Sequence, residues 1–198
     1  MKSMKIIMPL IMLRRKRNQS RYKAVFLDRD GVINQAIVKE GKPYPPEKAN
    51  QSNVLPGVRE ALIKLRKMGF LNLVVTNQPD VARGKTRKET VESIHAKLAS
   101  ELALDGFYTC WHDDKDNCNC RKPKAGLLEQ AAQEHNLDLL GSYMVGDRWR
   151  DMDAGKAAGC RTVFLDYGYS EKRPDHPDFL CRSLLEAATW IENREAQV

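Results

Sequence analysis

The sequence predicts an α/β domain built on a central parallel sheet, and three observations carry that expectation. Beyond residue 22, short β-branched apolar runs alternate with longer amphipathic stretches. The runs lack polar alternation, as suits strands buried on both faces. Chemically suggestive residues follow the runs: Asp28 and Asp30 the first, Thr76 the second, Asp147 the third, at the edge where open parallel sheets bind ligands.

In chain order, residues 23–27 (KAVFL) form the first expected strand, with 71–75, 143–145 and 162–165 as three more. Val58, Ala61, Leu62, Leu65 and Met68 recur at helical spacing, as do Val91, Ile94, Leu98 and Leu102, and then Leu127, Leu128, Ala131 and Ala132. An acid-opened stretch over 151–158 and a final apolar one over 184–191 predict two further helices. Residues 39–56, polar and carrying Pro43, Pro45, Pro46 and Pro56, should form an excursion after the first strand. With no internal repeat, the 198 residues read as a basic leader over 1–22 and a single domain over 23–198.

Charge is unevenly placed. The formal net charge is +7, but eight of the 33 bases and no acid lie within residues 1–23, leaving 25 bases against 26 acids in the rest. A near-neutral body lacks the broad basic face that backbone binding to nucleic acid needs. The leader's apolar run over 6–13 is far short of the ~20 residues that span a bilayer. Its basic cluster Arg14-Arg15-Lys16-Arg17 follows that run, the reverse of a signal peptide. A flexible extension without stable membrane association is expected; a marginal anchor on anionic lipid, or a start codon assigned too early, gives the same pattern. The five cysteines, three of them within 110–120, do not form a disulfide framework and point to a reducing cytoplasm. No apolar surface stripe stands out, so a monomer is expected.

Asp28 and Asp30 concentrate negative charge where the first strand emerges, which calls for a hard divalent cation such as Mg²⁺, with Asp147 as a third oxygen source. Cys110-Trp111-His112 and Cys118-Asn119-Cys120 are two ligand pairs separated by five residues. Three thiolates and one imidazole suit tetrahedral Zn²⁺, and four protein ligands leave no open position, so this zinc would be structural. Cys160 and Cys181 are expected as buried packing residues, while His95, His135 and His176 are expected on surfaces without a role. Gly84-Lys85-Thr86 is not a nucleotide-binding loop, because Pro79 stands where the leading glycine belongs.

Four motifs in order, Phe26-Leu27-Asp28-Arg29-Asp30-Gly31, Val75-Thr76-Asn77-Gln78, Cys120-Arg121-Lys122-Pro123 and the segment 145–152 (VGDRWRDM), resemble the phosphatase branch of the haloacid dehalogenase superfamily. Over residues 23–169 the chain looks most like the D-glycero-D-manno-heptose 1,7-bisphosphate phosphatases and their histidinol-phosphate phosphatase relatives. The resemblance implies a Rossmann-like three-layer sandwich and a zinc-binding loop beside the site, and the small size of the chain leaves no room for a large cap domain. It implies Asp28 as nucleophile, giving an aspartyl-phosphate, and Asp30 as general acid and then base. Thr76 and Lys122 would hold the phosphoryl oxygens, with Mg²⁺ on Asp28, Asp147 and the carbonyl of Asp30. Asn77, Gln78, Arg83, Arg121 and Arg148 would contact substrate, and loops 34–56 and 108–120 would cover the site in place of a cap. Val32 departs from the threonine of many relatives without threatening catalysis.

Arg83, Arg121 and Arg148 offer more cations than one phosphate needs, which favours a small phosphorylated sugar carrying two. The expected reaction is hydrolysis of the 7-phosphate of D-glycero-D-manno-heptose 1,7-bisphosphate. Histidinol phosphate or another small phosphomonoester stays open as substrate, as does a zinc-stabilised binding module that has lost catalysis.

Overall fold

Strand β1 (Lys23–Leu27) sorts its side chains by the two-residue period of a strand: Ala24 and Phe26 enter one hydrophobic core, Val25 and Leu27 the other. In the computed structural model, which describes residues 22–197, the elements that follow are β2 (Ile37–Lys39), β3 (Lys42–Tyr44), α1 (Val58–Lys67), β4 (Phe70–Asn77), α2 (Pro79–Ala82), α3 (Lys88–Glu101), β5 (Gly106–Cys110), α4 (Gly126–His135), β6 (Tyr143–Gly146), α5 (Trp149–Ala157), β7 (Arg161–Leu165), β8 (Phe179–Cys181) and α6 (Leu184–Glu195). Apart from Tyr22, the leader expected over 1–22 lies outside the described residues.

Six strands form one sheet in the order β5-β4-β1-β6-β7-β8, every pair parallel. Leu62 and Leu65 of α1, Ile94 and Leu98 of α3 and Ile191 of α6 pack with Val25 and Leu27. Leu128 and Ala131 of α4 and Ala154 of α5 pack with Phe26, Leu73 and Met144. These are the three layers that the sequence leads one to expect. Asn72 interrupts the apolar run of β4, and its buried amide nitrogen donates to the carbonyls of Leu62 (2.9 Å) and Ala103 (2.8 Å), while its Oδ1 is buried without a partner.

The differences from expectation have local causes. Edge strands β5 and β8 were not anticipated: β5 mixes apolar with polar and glycine positions, and β8 is an apolar run of only three residues, and an edge strand buries only some of its residues, Tyr108 and Cys110 in the one, Cys181 in the other. The excursion expected over 39–56 opens two residues earlier with a small antiparallel hairpin, β2–β3, tied down by the Ser170 N–H donating to the Gly41 carbonyl (2.8 Å). Helix α5 starts two residues early because Asp151 accepts from the Arg148 N–H (3.0 Å) and caps it. Helix α6 runs on to Glu195, whose carboxylate takes Lys23 Nζ and the Tyr143 hydroxyl, each at 2.7 Å. Cys160 and Cys181 are buried as expected. No helix among the described residues is long and apolar enough to cross a membrane.

Strand order reverses at β1, with β4 and β5 on one side and β6 to β8 on the other. This switch point opens a crevice at the carboxyl edge, and it brings Asp28, Thr76 and Asp147 together from three strands far apart in sequence.

Candidate active site

Asp28 leaves the end of β1 with its Oδ1 taking the Arg29 backbone N–H (2.7 Å) and facing Lys122 Nζ at 3.1 Å. The same ammonium lies 2.6 Å from Asp151 Oδ1 and donates to the Val75 carbonyl at 2.7 Å. Burial alone would strip a proton from Lys122, but Asp151 and Asp28 outweigh it and hold the lysine pKa above its usual value. For Asp28 burial dominates. Lys122 opposes it, Asp151 and Asp30 reinforce it, and the carboxyl is pushed up from 3.8 to about 6.

Asp147 is the more exposed electrically and the less exposed to water. Both of its oxygens are buried without a hydrogen-bond partner, the nearby Tyr169 hydroxyl pulling its pKa down without completing a hydrogen bond. Burial first, then the charges of Asp28 and Asp151, raises the Asp147 pKa well above the carboxylate range. One oxygen from each of Asp28, Asp147 and Asp151 lies within 4.8 Å of the others. Gly31, at φ +94°, is what lets Asp147 in: a Cβ there would sit 1.8 Å from its Oδ2. Gly146 does the same for Asp151, whose Cβ would be 2.2 Å from an added methyl. Three buried carboxylates against one ammonium, with orphaned oxygens, form a donor set that fits a hard divalent cation such as Mg²⁺. Asp151 is a member the sequence reading missed, taking it only for a helix-opening acid. Its spacing, one helical turn beyond Asp147, was the available signal.

Asp30 is held from three sides. It accepts from Arg29 Nε (3.2 Å) and Nη2 (2.8 Å), from Asn34 Nδ2 (2.9 Å) and from Gln78 Nε2 (3.0 Å). Gln78 also donates to the Thr76 hydroxyl at 3.0 Å, so this buried amide stands behind the cavity as a brace. Asn77 faces the cavity, but its amide exchanges two hydrogen bonds with the Lys122 backbone (3.0 and 3.1 Å), tying β4 to the lysine loop.

His95 corrects the sequence reading. Expected on a helical surface, it is 9% exposed, stacks on Phe107 at 4.6 Å and meets Arg29 Nη1 through Nε2 at 3.0 Å. Burial, and then the Arg29 charge, pushes its pKa down to about 3. The stripe Val91, His95, Leu98, Leu102 has the same helical spacing as the one chosen with Ile94, and shows His95 facing inward.

Asp28, Asp30, Thr76, Asn77, Lys122 and Asp151 line a cavity of about 60 Å³ roofed by Pro43, Tyr44 and Pro45 of the excursion. It opens into a second cavity of about 220 Å³ rimmed by Arg83, Arg121, Arg148 and Arg150. Arg121 and Arg150 share Asp114, each at 3.0 Å, Arg83 forks onto Asp113, and Arg148 Nε donates to Glu171 at 2.8 Å. Arg150 was not anticipated. A larger, shallow hollow of about 790 Å³ on the α1–α6 face, reaching Ile63, Met68 and Glu192, holds no comparable constellation.

At the end of β5, Cys110 Sγ, His112 Nδ1, Cys118 Sγ and Cys120 Sγ lie within 4.8 Å of one another. Cys110 to Cys118 is 3.7 Å, Cys118 to Cys120 3.4 Å and His112 to Cys120 3.3 Å. Thiolates ~2.3 Å from a tetrahedral Zn²⁺ sit roughly 3.8 Å apart, so the four residues fit that ion with little adjustment. Arg121 and Lys122 follow the last of them directly.

Comparison with known proteins agrees with this geometry. A family model described as HAD-hydrolase-like matches residues 119–187. The chain is 36% identical over 178 residues to the D-glycero-beta-D-manno-heptose-1,7-bisphosphate 7-phosphatase of Helicobacter pylori (strain J99), covering 86% of this chain and 97% of the relative. With the same-named protein of Escherichia coli (strain K12) it shares 38% over 187 residues, covering 88% and 91%. The crystal structure of D,D-heptose 1,7-bisphosphate phosphatase from B. bronchiseptica, complexed with magnesium and phosphate, superposes with a TM-score of 0.72 at 29% identity over 87% of this chain and 99% of that one. The chain belongs to the haloacid dehalogenase-like hydrolases and, among them, to the family of the heptose 1,7-bisphosphate phosphatases.

Proposed function

We propose that the chain is a Mg²⁺-dependent phosphatase that removes the 7-phosphate of D-glycero-D-manno-heptose 1,7-bisphosphate through an aspartyl-phosphate, acting as a cytoplasmic monomer. The observation that carries this reading is the floor of the cavity: Asp28 fixed by Lys122 and the Arg29 N–H, with Asp30 beside it. Both ties fall on Oδ1, so Oδ2 is the oxygen that attacks. As the Oδ2–P bond forms, the bond from phosphorus to the sugar oxygen breaks, and the leaving alkoxide takes the proton of Asp30. Asp30, now a carboxylate, takes a proton from water as the water oxygen attacks phosphorus, releasing inorganic phosphate and regenerating Asp28. The Lys122 ammonium and the Thr76 hydroxyl donate to the phosphoryl oxygens throughout. Asp28, Asp147 and Asp151, with the carbonyl of Asp30, would hold Mg²⁺, which would supply neutralisation of phosphoryl charge. Monoester hydrolysis requires accelerations up to ~10²¹, so these terms must act together.

Cys110, His112, Cys118 and Cys120 would hold a structural Zn²⁺, which would steady the loop that delivers Arg121 and Lys122. Arg83, Arg121, Arg148 and Arg150 take the distal phosphate, exchanging carboxylate partners for it. An amine such as that of histidinol phosphate needs a free acid, whereas Asp114 and Glu171 in the outer cavity are both held by arginines. The near-neutral body gives nucleic acid no purchase, and no stable membrane association is needed.

Phosphate release from both heptose 1,7-bisphosphate anomers, histidinol phosphate and fructose 1,6-bisphosphate, with and without Mg²⁺, tests the reading. Expected is a Mg²⁺-dependent preference for one heptose anomer by ~10² in kcat/KM, abolished in Asp28→Asn. Flat, feeble rates on all four would leave the mechanism and remove the substrate.

A further inference from the structure

We propose that His95 is a positioning residue for proton transfer: through Arg29 it fixes the carboxyl of Asp30 in the cavity. The proposal rests on the reading of Asp30 as general acid and base.

Arg29 is fully buried and can only donate. Its Nε and Nη2 fork onto Asp30 at 3.2 and 2.8 Å, while Nη1 points the other way, to His95 Nε2 at 3.0 Å. Because guanidinium nitrogens do not accept, the imidazole must, which puts its proton on Nδ1 and leaves the ring neutral. The depressed pKa of His95 agrees with that assignment. The ring cannot swing away, since it is buried and stacked on Phe107 at 4.6 Å.

The geometry has the form of a relay of position. Arg29 and Asp30 are neighbours in sequence, and nothing in the backbone obliges a long guanidinium arm to fold back onto the next residue. His95 satisfies the far end of that arm. Without an acceptor there, a buried N–H is orphaned, and the arm gains by turning toward water or admitting it, which releases its fork on Asp30. Asn34 and Gln78 alone then hold the carboxyl, one on each oxygen. An Asp30 free to rotate donates its proton less often to the leaving oxygen, so the loss falls on proton transfer rather than on substrate binding.

Leaving-group dependence separates this from a packing role. A sugar alkoxide must be protonated as it departs, whereas p-nitrophenolate leaves without a proton. The test is kcat/KM of the full chain with Mg²⁺ on fructose 1,6-bisphosphate and on p-nitrophenyl phosphate, expressed as their ratio. In Asp30→Asn the ratio should fall about 100-fold, the usual scale of a lost general acid. In His95→Leu it should fall about tenfold with KM unchanged, and His95→Gln, whose amide offers an acceptor at the same reach, should recover it to within about threefold. Should His95→Leu not fold, His95→Asn serves instead, because its amide stops short of Arg29, and the same fall is expected. A selective fall in Asp30→Asn with both esters slowed equally, or neither slowed, in the His95 variants would overturn the proposal. No selective fall in Asp30→Asn would overturn the general-acid reading itself, and the proposal with it.

Discussion

Beneath the cavity three buried carboxylates crowd together with one buried lysine, which pairs with Asp28 and Asp151 while both oxygens of Asp147 lack a hydrogen-bond partner; at the rim four partly exposed arginines each hold a carboxylate. The floor is under-neutralised in a place where water cannot help, so it stores a demand for cations. The rim is already neutralised in a place where water and salt weaken every pair, so its partners exchange readily. Breaking a buried pair costs roughly 3–5 kcal/mol, against about 0–1 kcal/mol for an exposed one. One region should therefore govern turnover and metal response, the other substrate choice.

The largest expected effect is at Lys122. Lys122→Met leaves Asp28 and Asp151 without their ammonium, and should cost roughly 3–5 kcal/mol in denaturant unfolding of the metal-free protein, along with all activity. Arg83→Ala at the rim should stay within about 1 kcal/mol by the same measurement. Equal losses would erase the contrast between the two regions.

Asp147→Asn sharpens it with the opposite sign. Removing an unpartnered buried charge should make the metal-free protein more stable, by roughly 1–3 kcal/mol, while abolishing both activity and the rise in Tm on adding Mg²⁺. A variant less stable than wild type without metal would show that the Asp147 charge is compensated after all.

The pH dependence follows from Asp28, whose pKa is raised from 3.8 to about 6. A raised folded pKa means that this group's contribution is fully present below its unfolded value and lost as pH rises through about 6 in the metal-free protein. Mg²⁺ takes the place of the proton, so the Tm gain from a fixed Mg²⁺ concentration should grow between about pH 5 and 7. A gain that is flat across this window would contradict the assignment.

The smallest effect belongs to the rim. Arg150→Ala should raise KM for a sugar bisphosphate about tenfold, leave kcat nearly unchanged and barely alter kinetics on a monophosphate. A fall in kcat on both substrates would place Arg150 with the floor.

The same division explains what the sequence disclosed. Strands β1, β6 and β7 are buried on both faces, so their apolar runs stand out, while β5 and β8 lie at edges where part of each strand meets solvent. Asp28, Asp30 and Asp147 were legible because strand ends announce themselves, whereas Thr76 and Lys122 acquired roles only because Val75-Thr76-Asn77-Gln78 and Cys120-Arg121-Lys122-Pro123 resemble the family's motifs. Asp151 and His95 were not, since each sits on a helix whose periodicity offers a bland explanation for it, a capping acid and a residue beside an apolar stripe. Their roles come from contacts with Lys122 and Arg29, which only the tertiary fold creates. Three of the four rim arginines, Arg83, Arg121 and Arg148, could be picked out from sequence, but Arg150 and the carboxylate partners could not.

The most direct test of the account is to trap the nucleophile. Asp30→Asn with Mg²⁺ should accept a phosphoryl group from p-nitrophenyl phosphate, which needs no proton donor, and release it slowly for want of a base. Rapid quenching followed by peptide mass spectrometry should then find the phosphoryl group on the peptide bearing Asp28, approaching one per chain, and none in Asp28→Asn. Phosphate released with no phosphoryl group ever found on Asp28 would contradict the account.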